Sequence, residues 1–211
     1  MAAALRLFGT KGYGAVGIRE IALEAGISTA ALYHYMRTKE DLLVALMTDR
    51  MSRIIASGRA ATAGLEAPEQ KLVALVRVHV LAHGHYPETV IDQEVRSLSA
   101  EARPAVLALR DEYENIWRAV ADTGAAEGVF EVPSAQTARL ALLEMCNGVV
   151  TWYRPGGPLP LSQIADDFAE LALAMVGANR DGRRLRLREL GLPPIASYEA
   201  IVAEQYQGML R

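Results

Sequence analysis

Cysteine occurs once in this 211-residue chain, at Cys146. A lone thiol excludes an internal disulfide and any zinc site built on several cysteines, and it suits a reducing cytoplasm. Aromatic residues are also few, at 6%. With alanine and leucine abundant, that composition favours packed helices over sheets. No apolar run is long enough to span a bilayer and no signal peptide is visible, so the expectation is a cytoplasmic protein without a membrane partner. Internal repeats and low-complexity tracts are missing, as is any segment with sustained strand alternation.

Catalytic signatures are missing too. There is no Ser/His/Asp or Cys/His constellation, no phosphate-cradling glycine loop and no carboxylate pair at a recognisable spacing. His79 and His83 share a helix face at i, i+4, but no cysteine lies nearby, and the closest acids, Glu88 and Asp92, fall beyond Pro87. Neither a metal site nor a cofactor is expected, and the chain reads as a non-enzyme.

Excess positive charge is lacking overall, since the formal net charge is −3. Residues 1–53 nevertheless carry seven Lys or Arg against five acids, a local +2, which leaves −5 for the remainder. Attraction to phosphates needs only a local positive face, because screening limits its reach to roughly 8–10 Å.

What is present concentrates between Ile18 and Leu43. Ile18, Ile21, Ala22 and Ala25 fall at i, i+3, i+4 and i+7, one face of a helix. Gly26 can stop that helix by taking φ > 0, and Ser28 can cap the next one. In the second helix Leu32 and Met36 face inward, which leaves Thr29, Ala30, Tyr33 and His34 facing out. Two short helices around such a turn are the outline of a helix-turn-helix, whose second helix enters the major groove. Thr38 and Asp41 then open a longer helix from Lys39 to about Ser57 in the manner of a capping box.

The run from Leu7 to Leu43 resembles the DNA-binding domain of the tetracycline-repressor (TetR) family. The matching elements are Leu7-Phe8, Gly12-Tyr13, Ile21-Ala22, Ala25-Gly26, Leu32-Tyr33-His34 and Lys39-Glu40. The resemblance implies an all-α homodimer with an N-terminal three-helix helix-turn-helix domain and a larger C-terminal helical domain. It also implies a repressor that binds an inverted-repeat operator until a small molecule binds the C-terminal domain. On this reading the DNA-binding residues are Ser28, Thr29, Ala30, Ala31, Tyr33, His34 and Lys39, with Tyr33 and Lys39 on phosphates. Ala30 and Ala31 favour apolar contact with thymine methyls over base hydrogen bonds. Gly17 stands where the family usually carries a Thr or Ser that caps a helix and touches phosphate.

Beyond the helix-turn-helix, apolar periodicity predicts helices over 69–83, 88–97, 104–127, 135–154 and 162–179, then a short one over 197–210. The chain divides into a DNA-binding domain at 1–50, an effector and dimerisation domain at 51–179, and a basic linker with a short helix at 180–211. Gly58 to Pro68 is small and loop-forming, the composition of a domain boundary. In the last part, five arginines before Gly191 admit either a nucleic-acid contact or a solvated linker whose helix docks on the body or the dimer partner.

The segment Trp152-Tyr153-Arg154-Pro155-Gly156-Gly157-Pro158-Leu159 is similar to one in a branch of TetR regulators, several of which respond to acyl-CoA thioesters. Asp92-Gln93-Glu94 and Gly124 to Phe130 loosely fit the same branch. An acyl-CoA effector needs an apolar tunnel and a cationic mouth. Tyr113, Trp117, Met145, Val149 and Trp152 are the candidates for the first, Arg96 and Arg110 for the second. The same turn also reads as a plain structural corner, with Trp152 and Tyr153 packed beneath it. Ile164, Phe168, Leu171, Ala172 and Met175 form an apolar stripe, which by itself reads as intramolecular core and which the family resemblance implies is the dimer interface. The rival reading is an all-α ligand-binding or enzymatic protein whose helix-turn-helix is vestigial, which Gly17, Ala30 and Ala31 keep open.

Overall fold

The computed structural model describes residues 1–86 and 94–207, and ten α-helices lie among them. They are α1 (Ala2–Lys11), α2 (Ile18–Glu24), α3 (Thr29–Tyr35), α4 (Lys39–Thr62), α5 (Pro68–His85), α6 (Arg103–Ala126), α7 (Ala135–Asn147), α8 (Val149–Trp152), α9 (Leu161–Met175) and α10 (Ile195–Gln205). Two-residue strands β1 (Asn179–Arg180) and β2 (Arg183–Arg184) pair antiparallel after α9. The all-α class expected from composition is what the chain adopts.

The chain forms two compact units that interleave in sequence. One comprises Met1–Arg53, Tyr86–Asp111 and Tyr206–Arg211, the other Ile54–His85 and Glu112–Gln205. The sequence reading cut the chain instead into consecutive segments. Here residues 94–111 fall with the helix-turn-helix, and most of the C-terminal extension falls with α5.

In the first unit, Leu5, Leu7 and Phe8 of α1 are buried with Val16, Ile21, Leu32, Leu43 and Met47. Phe8 meets Tyr13 edge to face at 5.2 Å. The segment after residue 93 is fastened to this core by carboxylates. Glu94 Oε1 accepts from the Tyr13 amide at 3.3 Å, and Glu40 accepts from the Ser99 amide.

The second unit is built around α5. Val73 to Val76, Val78 and Val80 to Ala82 are fully buried, so this helix is enclosed on every side. Its polar residues are satisfied within that environment: Glu69 pairs with Arg180, Arg77 with Asp166, and His79 with Tyr113 and Asn147. α9 and α10 lie against it, α10 through buried Tyr198 and Val202.

Several boundaries differ from the sequence expectation for identifiable reasons. α4 runs on through Gly58 to Thr62, because the missing Cβ lets Leu75 and Tyr113 close in. A Cβ there would stand 3.3 Å from Leu75 Cδ2. The expected helix over 135–154 breaks into α7 and α8 at Gly148. α9 ends at Met175, short of the expected 179. The expected helix over 88–97 lies mostly outside the described residues, and 94–97 is a 3-10 turn. The β1–β2 hairpin was not expected at all. Asp181 and Gly182 both take positive φ, 53° and 73°, as a tight two-residue hairpin demands.

Candidate DNA interface and effector core

α2 ends as the sequence requires. Gly26 has φ +66°, the Gly26 amide donates to Leu23 O, and the Ile27 amide donates to Ala22 O. This pair of bonds around a left-handed residue closes the helix and turns the chain by Ile27. Ser28 is extended and its Oγ accepts from the Ala31 amide at 3.0 Å, which caps α3. Leu32 and Met36 are buried, and they anchor α3 from beneath. Ser28, Ala30 and His34 are exposed, Thr29 and Ala31 half-buried, and Tyr33 is 52% exposed. These six sequence-predicted residues therefore sit together on one short helix. Ala25, expected inward, is exposed, and the Gly17 N-cap of α2 supplies no side-chain hydrogen bond.

Lys39 is placed differently from the expectation of a free phosphate ligand. Its Nζ donates to Tyr13 O at 2.9 Å and Val16 O at 3.0 Å, and it lies 4.2 Å from the Tyr13 ring centroid. Two of the three ammonium N–H groups hold the loop between α1 and α2 to the start of α4. Burial, with Glu40 and Glu94 nearby, raises the Tyr13 phenol above its ordinary pKa. The capping box at α4 is present: the Asp41 amide donates to Thr38 Oγ1, and Asp41 Oδ2 accepts from the amides of Arg37 and Thr38, all at 3.0 Å.

The second unit gathers a polar cluster inside its apolar core. His79 Nδ1 is 2.9 Å from Tyr113 Oη, and its Nε2 is 3.0 Å from Asn147 Oδ1. The His83 ring stacks on it at 4.0 Å, with His83 Nδ1 donating to His79 O at 3.0 Å. Trp117 meets His79 edge-on at 5.8 Å, and its Nε1 is buried with no hydrogen-bond acceptor among the described residues. Cys146 is buried, and desolvation pushes its thiol far above the ordinary range. Among the described residues no group of three or more His, Cys, Asp or Glu could hold a metal ion.

Of the expected effector residues, Tyr113, Trp117 and Val149 are buried in this unit and Met145 is half-buried. Arg96 and Arg110 are exposed and belong to the first unit. Trp152 is 49% exposed, 6.0 Å from Phe168. His79, His83 and Asn147 were not counted as ligand candidates. Their signal was two histidines one turn apart on a helix whose run from Leu72 to Ala82 is otherwise apolar except for Arg77.

The expected dimer stripe divides. Ile164 and Ala172 are buried in the unit's own core, whereas Leu171 and Met175 stay exposed. Leu140, Trp152 and Leu159 are the other large exposed apolar residues of α7, α8 and the turn to α9.

The comparisons agree over both parts of the chain. Residues 1–46 match the family "Bacterial regulatory proteins, tetR family", and residues 65–176 match "Tetracyclin repressor-like, C-terminal domain". The HTH-type transcriptional repressor KstR2 of Mycobacterium tuberculosis is 26% identical over 183 residues, covering 85% of this chain and 90% of its own. A crystal structure of a tetR-family regulatory protein from Rhodococcus RHA1 superposes with TM-score 0.79 at 31% identity, over 85% of this chain and 95% of that one. The crystal structure of AibR in complex with isovaleryl coenzyme A and operator DNA gives TM-score 0.75 at 25% identity, over 81% of this chain and 94% of that one. With its capped reading helix and its separate helical unit around α5, the chain belongs to the TetR family of transcriptional regulators.

Proposed function

We propose that this regulator is a homodimeric repressor whose two α3 helices leave an inverted-repeat operator when a small apolar or acyl-CoA-type effector enters the unit around α5. The observation that carries the effector reading is the buried polar cluster of His79, Tyr113, Asn147 and Trp117. A buried indole N–H without an acceptor costs free energy, and a ligand carbonyl beside it would recover that cost. Tyr113, Trp117, Met145 and Val149 are apolar enough to hold the rest of such a molecule. The likeness to AibR supports a thioester as the class to try first.

On the DNA side, Thr29, Ala30 and His34 are the candidates for the groove, and Ser28, Ala31 and Tyr33 for its edge and phosphates. A single seven-residue helix reads few bases, so two copies on two half-sites provide the selectivity. The exposed apolar residues Leu140, Trp152, Leu159, Leu171 and Met175 suit an isologous interface that sets the spacing of those copies.

The test is fluorescence anisotropy on a labelled duplex of the DNA upstream of the reading frame, with isovaleryl-CoA and longer acyl-CoAs added in turn. The expected result is saturable binding that an acyl-CoA reverses, and a Trp117→Phe variant that keeps DNA affinity but loses sensitivity to it. DNA binding that no acyl-CoA alters would refute the thioester assignment and leave the repressor standing.

A further inference from the structure

The C-terminal extension walls a cavity that the buried cluster around His79 does not use. It measures about 470 Å³ and lies wholly within the second unit, lined by α5, α9 and the segment from Leu187 to Ile195. None of His79, Tyr113, Trp117 and Asn147 lines it. Its outer wall comes from beyond residue 176, where the match to the family's C-terminal domain ends.

Charge on this lining is balanced, with Arg77 and Arg188 against Asp166 and Glu170. Arg77 is buried and fixed in the wall, because Nε and Nη2 both point at Asp166 Oδ1 and Nη1 donates to Pro193 O. Asp166 Oδ2 is left with no hydrogen bond among the described residues. Glu170 Oε1 accepts from the Leu187 amide, while its Oε2 has only Arg186 Nη1, at 3.9 Å. On the opposite side of the charge balance, Arg188 is exposed and has no hydrogen bond or ion pair among the described residues. Leu190 is right-handed and Gly191 has φ +61°, an alternation that turns successive amides toward one point and favours an anion there. The amides of Gly191 and Leu192 donate to no acceptor among the described residues.

A plain anion drawn to Arg188 and the Gly191 turn would face the two carboxylates, and a plain cation would face the two guanidinium groups. A molecule carrying both charges satisfies both sets, and Leu187, Leu192 and Ile195 offer its body an apolar wall. We propose that this cavity binds a small zwitterion, an amino acid or dipeptide with an apolar side chain. Its carboxylate meets Arg188 and the amides of Gly191 and Leu192, and its ammonium meets Asp166 Oδ2 and Glu170 Oε2. Such an occupant ties the extension to α9, so binding stabilises the fold. This is a second ligand site on the regulator, and it stands whether or not the core around His79 takes a thioester.

The experiment uses the full chain, with Tm shifts to find a binder and calorimetric titration to measure it. The probes are valine, leucine, isoleucine, methionine, phenylalanine, leucyl-leucine and alanyl-phenylalanine. At least one is expected to raise Tm and to bind saturably. Its carboxamide, which lacks the anion, and its N-acetyl derivative, which lacks the cation, should each bind about tenfold or more weakly, the worth of a hydrogen bond to a charged group. Arg188→Gln should lose affinity by the same factor. This variant removes no bond within the described chain, so its fold is expected to hold. Arg184→Gln, an exposed arginine of the same extension that does not line the cavity, should bind as the wild type does. The proposal is overturned if no probe binds, or if the carboxamide or N-acetyl form binds as well as the parent. A loss under about threefold in Arg188→Gln, or an equal loss in Arg184→Gln, overturns it as well.

Discussion

Arg77 directs two N–H groups at a single oxygen of Asp166, Nε at 2.8 Å and Nη2 at 2.7 Å, and its third nitrogen donates to Pro193 O at 3.1 Å. The guanidinium also stands over the Tyr198 ring, 5.0 Å from its centroid. One buried cation on α5 thereby joins α9, the Pro193-Pro194 segment and α10. Removing Asp166 strands that charge, whereas removing Arg77 strands only a half-exposed carboxylate. Asp166→Ala should therefore cost about 2–3 kcal/mol, below the usual toll for breaking a buried pair because the aspartate keeps part of its hydration. Arg77→Met should cost less. Urea denaturation of the two variants checks the order, and equal losses would contradict it.

The C-terminal extension begins where the match to the family's C-terminal domain ends, at residue 176. It is nonetheless part of the core around α5: Tyr198 and Val202 are buried, Glu69 takes two bonds from Arg180, and Leu190 O accepts from Gln70. Tyr198→Ala should cost about 3–5 kcal/mol, the range for deleting a buried aromatic. A loss under about 1 kcal/mol in the same denaturation assay would mean that α10 is loosely held.

Gly124 lies inside α6, where alanine would ordinarily improve helix propensity by about 1 kcal/mol. A Cβ at this position would stand 2.1 Å from Cδ2 of Phe130, which is itself buried. The chain turns back at Gly128, and the amides of Val129 and Phe130 both donate to Gly124 O, so the ring is held in place. Gly124→Ala should then destabilise by about 1–3 kcal/mol net, as overpacking does. A raised Tm would show that the ring can move aside.

Much of this was legible beforehand, and the misses have a common origin. The helix-turn-helix was readable because Gly26, Ser28, Leu32 and Met36 act locally, through caps and one apolar face. The outward set on α3 follows from the same spacing. The internal bonds of Lys39 were not legible, because its partners are the main-chain carbonyls of residues 13 and 16, which no side-chain pattern announces. Arg96 and Arg110 were grouped with Tyr113 from the needs of an acyl-CoA effector, and no sequence pattern shows that they fall in the other compact unit. The Asp181-Gly182 pair was a readable hairpin signal that the surrounding arginines obscured. α5 shows the limit most clearly: its apolar run was visible, but that His79 bonds Asn147 depends on tertiary packing.

Cys146 should be unreactive in the folded chain. It is fully buried, and desolvation raises its pKa, so the thiolate fraction at pH 8 falls well below that of a free cysteine. Iodoacetamide at pH 8 should leave the native protein unmodified by mass spectrometry and label it rapidly in urea. Native labelling at the unfolded rate would place the thiol at the surface.

The turn and cap that open α3 give two ways to weaken DNA reading: Ser28 is both cap and proposed contact, whereas Gly26 is no contact. α3 has only seven residues, too few to hold a helix by propensity alone, and Ser28 Oγ secures its first turn. Ser28→Ala should cost about 1 kcal/mol of local stability. Replacing Gly26, at φ +66°, by alanine should cost a similar amount by straining the turn. Fraying of α3 taxes each half-site once, so a dimer should lose operator affinity roughly as the square of the single-site effect. Anisotropy on the upstream duplex, with Leu171→Asp to disrupt the proposed apolar interface, separates the two contributions. If Ser28→Ala weakens binding by the same factor in the wild-type and Leu171→Asp backgrounds, the two half-sites are not acting together, and the stripe at Leu140, Trp152, Leu171 and Met175 is not what joins them.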